Sequence, residues 1–110
     1  MQVQLIRRKE KLIVRLKGEL DHHSAQIFRD AVENELEKGT VRDLIVNMEN
    51  VTFMDSSGIG VILGRYKQVK AKGGKTVICG AAAHIQKILQ MGGISKIIPL
   101  VRKESSALEV

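Results

Sequence analysis

The apolar residues of this chain switch repeatedly between a period of two and a period near 3.6, and that alternation limits what it can fold into. Val3 and Leu5 alternate with polar neighbours, and beyond the charged segment Arg7 to Glu10 the residues Leu12, Val14 and Leu16 alternate again. This predicts two strands joined by a charged turn. From Ser24 the spacing becomes helical: Ala25, Phe28, Ala31, Val32 and Leu36 share one face, Asp21 or Ser24 is placed to cap the start, and Gly39 supplies the stop. Leu44, Ile45, Val46 and Met48 predict a third strand, buried on both faces near its middle, that runs on to Phe53. A second helix carries Ile59, Ile62, Leu63, Tyr66 and Val69 and ends at Gly73 and Gly74. Thr76 to Cys79 then reads as a short strand, and a third helix turns Ile85, Ile88 and Leu89 inward before Gly92 and Gly93. Ile97 to Leu100 reads as a last strand, which Pro99 confines to an edge or an end, and the tail as a short helix from Ser105 or Ser106.

Strands alternating with helices imply an α/β fold with parallel pairings, right-handed crossovers and helices packed on a sheet. With 110 residues and no linker, repeat or low-complexity segment, residues 1–110 form one domain. No apolar run is long enough for a membrane span or a signal peptide, so a soluble, cytoplasmic protein without membrane contact is expected. The single Cys79 allows no internal disulfide and no metal spacing, and reads as a buried apolar residue. The net charge of +6 raises the question of nucleic acid, but the basic residues are spread along the chain and only three aromatics are available to stack on bases. No direct nucleic-acid contact, metal or cofactor is expected.

Functional loops of such a sheet lie beyond the carboxyl ends of its strands, where the segment DSSG, Asp55 to Gly58, falls. Four readings of it compete. A nucleophile elbow needs a glycine two residues before the serine and a histidine base held by an acid; Ser57 has Asp55 at that position, and no spacing ties His22, His23 or His84 to it. A dinucleotide-binding loop would use Gly58, Gly60 and Gly64, but the acid expected at the end of the next strand is replaced by Gly80, Ala81 and Ala82. A plain helix cap accounts for one side chain, with Ser56 as the cap leaving Ser57 free. It does not account for the following turn. With residues spaced at about 100° and Ile59 at zero, the apolar stripe centres near 340°, whereas Ser57, Gly60, Val61, Gly64 and Gln68 cluster between roughly 100° and 200°. That face is small, smooth and nearly uncharged where a surface helix normally carries Lys, Glu or Arg. It reads as a docking surface, the alternative being that its glycines admit a neighbouring helix of the same domain. A hydroxyl at the helix start, where free amides and the dipole accommodate an anion, reads as a phosphoacceptor within that surface.

The segments FMDSSGIGVILGRYKQVKAKGGK, Phe53 to Lys75, and GELDHHSA, Gly18 to Ala25, closely resemble the STAS-domain anti-sigma factor antagonists of the stage II sporulation AA type. The resemblance covers nearly the whole chain. It implies a mixed sheet of four or five strands with helices mainly on one side, and a switch protein that is not itself an enzyme. It further implies that the unphosphorylated form binds an anti-sigma factor serine kinase and releases the sigma factor. The kinase phosphorylates the second serine of DSSG, Ser57, in a setting made by Asp55, Ser56 and Gly58, and a serine phosphatase restores it. Asp21 matches an acidic position facing the kinase, Gly60 and Gly64 match glycines of the same helix, and Val61 lies between them on the partner-binding face. ATP and Mg²⁺ belong to the kinase. His22 and His23 match as well, with a structural or contact role, and nothing is carried over to the tail 101–110. A small nucleotide-binding protein, or a STAS module of another signalling complex, stands as the alternative.

Overall fold

The computed structural model describes residues 1–110 throughout. A hairpin opens the chain: β1 (Gln2–Arg8) pairs antiparallel with β2 (Lys11–Leu20). Its tight turn takes Lys9 to φ 57°, a left-handed conformation uncommon for a residue with a side chain. From β2 onward every pairing is parallel, through β3 (Asp43–Met54), β4 (Thr76–Cys79) and β5 (Leu100–Val101), giving the sheet order β1-β2-β3-β4-β5. The crossovers contain α1 (His22–Glu37), α2 (Ser56–Ala71) and α3 (Ala83–Met91). Right-handed crossovers that all step the same way across a sheet must lie on the same face, which explains why these three helices share one side.

That side holds the main core. Leu12, Val14, Leu16, Leu44, Val46 and Met48 point from β2 and β3 into Phe28, Val32 and Leu36 of α1, Ile62 and Val69 of α2, and Ile85 and Leu89 of α3. Leu44, Ile45 and Val46 are all buried, as expected of a strand covered on both faces. The opposite face is covered only in part, by α4 (Glu104–Leu108), whose Ala107 packs against Ile13, Ile45, Val77 and Cys79. Five residues do not hold a helix alone. This one is held at both ends: Glu104 in its first turn receives Arg15 at 2.9 and 2.8 Å, and Lys11 Nζ donates to the Leu108 carbonyl at 2.6 Å. Each charge suits its end of the helix dipole. The Arg15 guanidinium, helped by Asn47, holds the Glu104 carboxyl down to about 2.

Two sequence expectations shift. The last strand is Leu100–Val101, not Ile97 to Leu100. Gly93, at φ 78°, starts a 3₁₀ turn over Ile94–Lys96 that buries Ile94 and Ile98, one helical repeat apart, and leaves Ile97 exposed. The apolar run therefore serves a turn, and Pro99 stands just ahead of an edge strand. The tail helix starts at Glu104, ahead of Ser105.

Candidate functional site

The carboxyl ends of β2 and β3 lie side by side, with Leu20 and Met54 paired in register and the Asp55 amide donating to the Leu20 carbonyl at 3.3 Å. Each strand hands over to a helix through an aspartate. Asp21 caps α1: its Oδ1 accepts from the Ser24 amide at 2.9 Å, and Ser24 Oγ returns the contact to the Asp21 amide at 2.9 Å. This reciprocal box holds the Asp21 carboxyl below its ordinary range, chiefly through the Ser24 amide. Asp55 caps α2, with Oδ1 accepting from the amides of Ser57 at 2.8 Å and Gly58 at 3.4 Å. The cap is thus Asp55, and Ser56 does not fill that role. A carboxylate is the stronger acceptor for two amides at the positive end of a helix. Neither serine hydroxyl is used within the chain. Ser56 is exposed and Ser57 half-buried.

The three glycines of α2 have different surroundings. Gly58 is buried, and a Cβ there would sit 2.6 Å from Met54 Cγ and 2.9 Å from the Leu20 carbonyl oxygen. It is required by the close approach of the helix start to the two strand ends. At Gly60 and Gly64 an added Cβ would meet nothing within 4 Å, so these glycines admit no neighbouring element of this domain.

The buried residues of α2 are Gly58, Ile62, Arg65 and Val69, and their direction lies about 70° from the centre the apolar pattern suggests. The helix stands between α1 and α3, and each neighbour takes one flank. Ile59, half-buried, packs at Gly92 beyond the end of α3. On the other flank the row Ser57, Val61, Arg65, spaced by one turn, faces α1. Val61 is consequently half-buried against the core and not part of a fully exposed face. Between this row and α1 runs a groove of about 260 Å³ lined by His22, Ala25, Gln26, Arg29, Ser57, Gly60, Val61 and Arg65. Asp21 lies at its head, while Gly64 stays outside on the open side of α2.

Arg65 went unread in the sequence, where one Arg among surface charges gave no reason to expect burial. Its position two turns beyond Ser57 on the same row was the available signal.

The chemistry open to this site is restricted. No histidine nitrogen bonds the Ser57 hydroxyl, and the only histidine contact at this end of the sheet is His84 Nε2 with the Thr52 carbonyl, at 3.0 Å. An activated serine nucleophile lacks its base. Gly60 and Gly64 lie within the helix, so no glycine loop is left to wrap a dinucleotide phosphate. What stands here is a free hydroxyl on a capped helix start, bordered by an open helix face.

The model of the STAS domain matches residues 2–107. The chain belongs to the anti-sigma factor antagonists of the STAS family. An anti-sigma F factor antagonist of Paenibacillus polymyxa is 38% identical over 108 residues, covering 98% of this chain and 92% of the relative. Another, of Lysinibacillus sphaericus, is 37% identical over 93 residues, covering 84% and 79%. The anti-sigma factor antagonist SpoIIAA in its unphosphorylated form superposes with a TM-score of 0.77 at 32% identity, covering 98% of this chain and 96% of that one. The phosphorylated form of the Bacillus SpoIIAA gives 0.79 at 32% identity, with 98% and 97% covered. Members of this STAS group are regulatory binding proteins, and this one is a regulator and not an enzyme. Five strands, one antiparallel pair and helices mainly on one face agree with the SpoIIAA fold.

Proposed function

We propose that this chain is a partner-switching antagonist that docks an anti-sigma factor serine kinase through the α1–α2 end when unphosphorylated, frees the sigma factor, and is switched off by phosphorylation of Ser57. A serine phosphatase resets it, and the cycle runs in the cytoplasm. The observation that carries this reading is the unengaged Ser57 hydroxyl at the head of α2, next to a helix face where Gly60 and Gly64 meet nothing. Ser56, Asp55 and Gly58 set the site: Asp55 fixes the helix start, Gly58 lets it sit against Leu20 and Met54, and Ser56 occupies the exposed neighbouring position.

The role of each group follows from where it stands. Ser57 Oγ attacks the γ-phosphorus of the ATP held by the kinase, the bond to ADP breaks, and a base of the kinase takes the hydroxyl proton, since no base of this chain is hydrogen-bonded to that hydroxyl. The positive end of the α2 dipole tolerates the product's charge. The phosphate adds about −1.5 to −2 charges beside Asp55 and Asp21, on adjacent strand ends. The cost of desolvating the phosphate, and its repulsion from any anion the partner brings, oppose redocking, while the helix dipole and the chain's own Asp55 and Asp21 act on it in the free and docked protein alike. The switch therefore needs no refolding. Incubating the protein with ATP and an anti-sigma factor serine kinase of the same organism, then measuring intact mass and the modified residue, tests this. One phosphate is expected, at Ser57, absent from Ser57→Ala and retained by Ser56→Ala. Full incorporation into Ser57→Ala would overturn it.

A further inference from the structure

The α1–α2 groove holds a charge that a phosphoacceptor and a smooth helix face do not explain. The Arg65 side chain is only 8% exposed, and its single ion pair runs from Nη2 to Glu33 Oε1 at 3.3 Å. Arg65 Nε and Nη1 are buried with no hydrogen-bond partner. Buried donors on a cation are among the groups a folded protein rarely leaves unmatched, and each such case calls for a reason. Glu33 cannot supply it, because its other oxygen, Oε2, faces Arg29 Nε at 3.5 Å. Two guanidinium groups thus share one carboxylate, which leaves one positive charge uncompensated. Burial, followed by the opposing pull of Glu33 and the push of Arg29, sets the balance at Arg65, and its guanidinium pKa falls. An arginine nonetheless keeps its proton in proteins.

The groove reaches the Arg65 side chain, whose Nε and Nη1 lie just beneath its surface, out of solvent contact. Ala25, Gly60 and Val61 give the groove short walls, and His22 and Gln26 stand on its α1 side with Ser57 across from them. Because the floor is cationic and the walls are short, an anionic side chain fits where a bulky apolar one would leave the guanidinium buried and unmatched.

We infer that the groove receives a carboxylate of the docking partner: an Asp or Glu side chain of the kinase enters between α1 and α2 and takes the unmatched donors of Arg65, with Arg29, as its counter-ions. The inference rests on the reading of this end as the kinase-docking site, and it adds the chemistry of the contact. Ser57 lies eight residues before Arg65, about 12 Å along the helix, so the phosphoacceptor and the carboxylate receptor occupy the two ends of one groove. A partner that fills both ends brings its own negative charge close to Ser57. Phosphorylation then sets two anions in one groove.

The test has an arm with the kinase and an arm without it. With the kinase, Arg29→Gln and Arg65→Lys are each expected to weaken binding by about tenfold and to flatten its salt dependence. Arg29 is exposed, so its substitution leaves folding intact even if the change at Arg65 does not. Without the kinase, the ¹⁵N-labelled protein is titrated with sodium acetate against sodium chloride at equal ionic strength. Acetate is expected to shift the Arg65 Nε–H and Gln26 side-chain signals selectively, and Arg29→Gln to reduce those shifts. Wild-type kinase affinity in both variants, or equal responses to acetate and chloride, would overturn the inference. If the wild-type protein neither binds the kinase nor accepts phosphate while acetate still shifts Arg65, the groove stands as a carboxylate site and the kinase reading is what fails. A shift of Arg65 Nε–H on phosphorylating Ser57 that matches the acetate shift would assign the site to the phosphoserine of this chain and overturn a partner carboxylate as its occupant.

Discussion

Replacing Gly58, Gly60 and Gly64 by alanine, one at a time, separates packing from docking along a single helix. All three gain from the change in helix propensity, by up to about 1 kcal/mol each. At Gly60 and Gly64 nothing opposes that gain, because the new methyl group meets no atom within 4 Å. At Gly58 it would lie 2.6 Å from Met54 Cγ and 2.9 Å from the Leu20 carbonyl oxygen, and the second of these is backbone in the middle of the β2–β3 junction. Overpacking of that kind costs about 1–3 kcal/mol, which exceeds the gain. At about 4 °C per kcal/mol for a domain of this size, Gly60→Ala and Gly64→Ala should melt a few degrees higher than the wild type and Gly58→Ala several degrees lower. Differential scanning calorimetry at matched concentration reads the three midpoints. A fall in midpoint for Gly60→Ala or Gly64→Ala would mean that those positions face the protein's own packing, and the open helix face would be refuted. With the melting order established, Gly64→Gln is the functional companion: unaltered stability and weakened kinase binding.

Asp55→Ala should destabilise the fold by about 1 kcal/mol in urea denaturation, through loss of the α2 cap, whereas Asp55→Asn retains most of the stability because Asn also accepts from the amides. The pair Arg15–Glu104 gives a pH signature. The Glu104 carboxyl is depressed to about 2 from an ordinary 4.5, so its contribution is complete above about pH 4.5 and is lost as pH falls toward 2. Because Arg15 is exposed, Glu104→Gln should cost only about 1 kcal/mol at neutral pH, and its stability should converge on the wild type near pH 2. Phosphorylation of Ser57 should move backbone NMR signals only around the starts of α1 and α2 and the groove between them; shifts spread through β4, α3 and α4 would favour a conformational switch over an electrostatic one.

Much of this arrangement was legible from local chemistry. Asp21 and Asp55 follow strand-like runs and precede helical ones, and a carboxylate in that position is a cap by its own hydrogen-bonding preference. The parallel order and the shared helix face follow from the alternation of elements and the hand of crossovers. Legibility stopped where tertiary neighbours decided. The apolar stripe of α2 gives one direction, but two flanking helices rotate the buried side, tucking Arg65 in and turning Leu63 and Tyr66 partly out. Ile94, Ile97 and Ile98 form an apolar cluster that suits a strand or a turn equally, and the left-handed Gly93 settles it as a turn. Nothing in the composition of the tail says which sheet face it covers; the Arg15–Glu104 pair and a small residue at Ala107 fix that in the folded state.

The most direct measurement is the affinity of the kinase for the unphosphorylated protein and for the same protein carrying phosphate on Ser57. A phosphate on Ser57 and a partner anion brought by docking to about 6 Å, counted as one unit charge each, repel by roughly 3 kcal/mol at an effective dielectric near 20, and salt reduces this. A loss of that size corresponds to binding about 100-fold weaker, with Ser57→Asp falling between the two forms. Isothermal titration at low and physiological salt is expected to show that ordering, with a gap that narrows as salt rises. Equal affinity of the phosphorylated and unphosphorylated proteins would contradict a switch at Ser57.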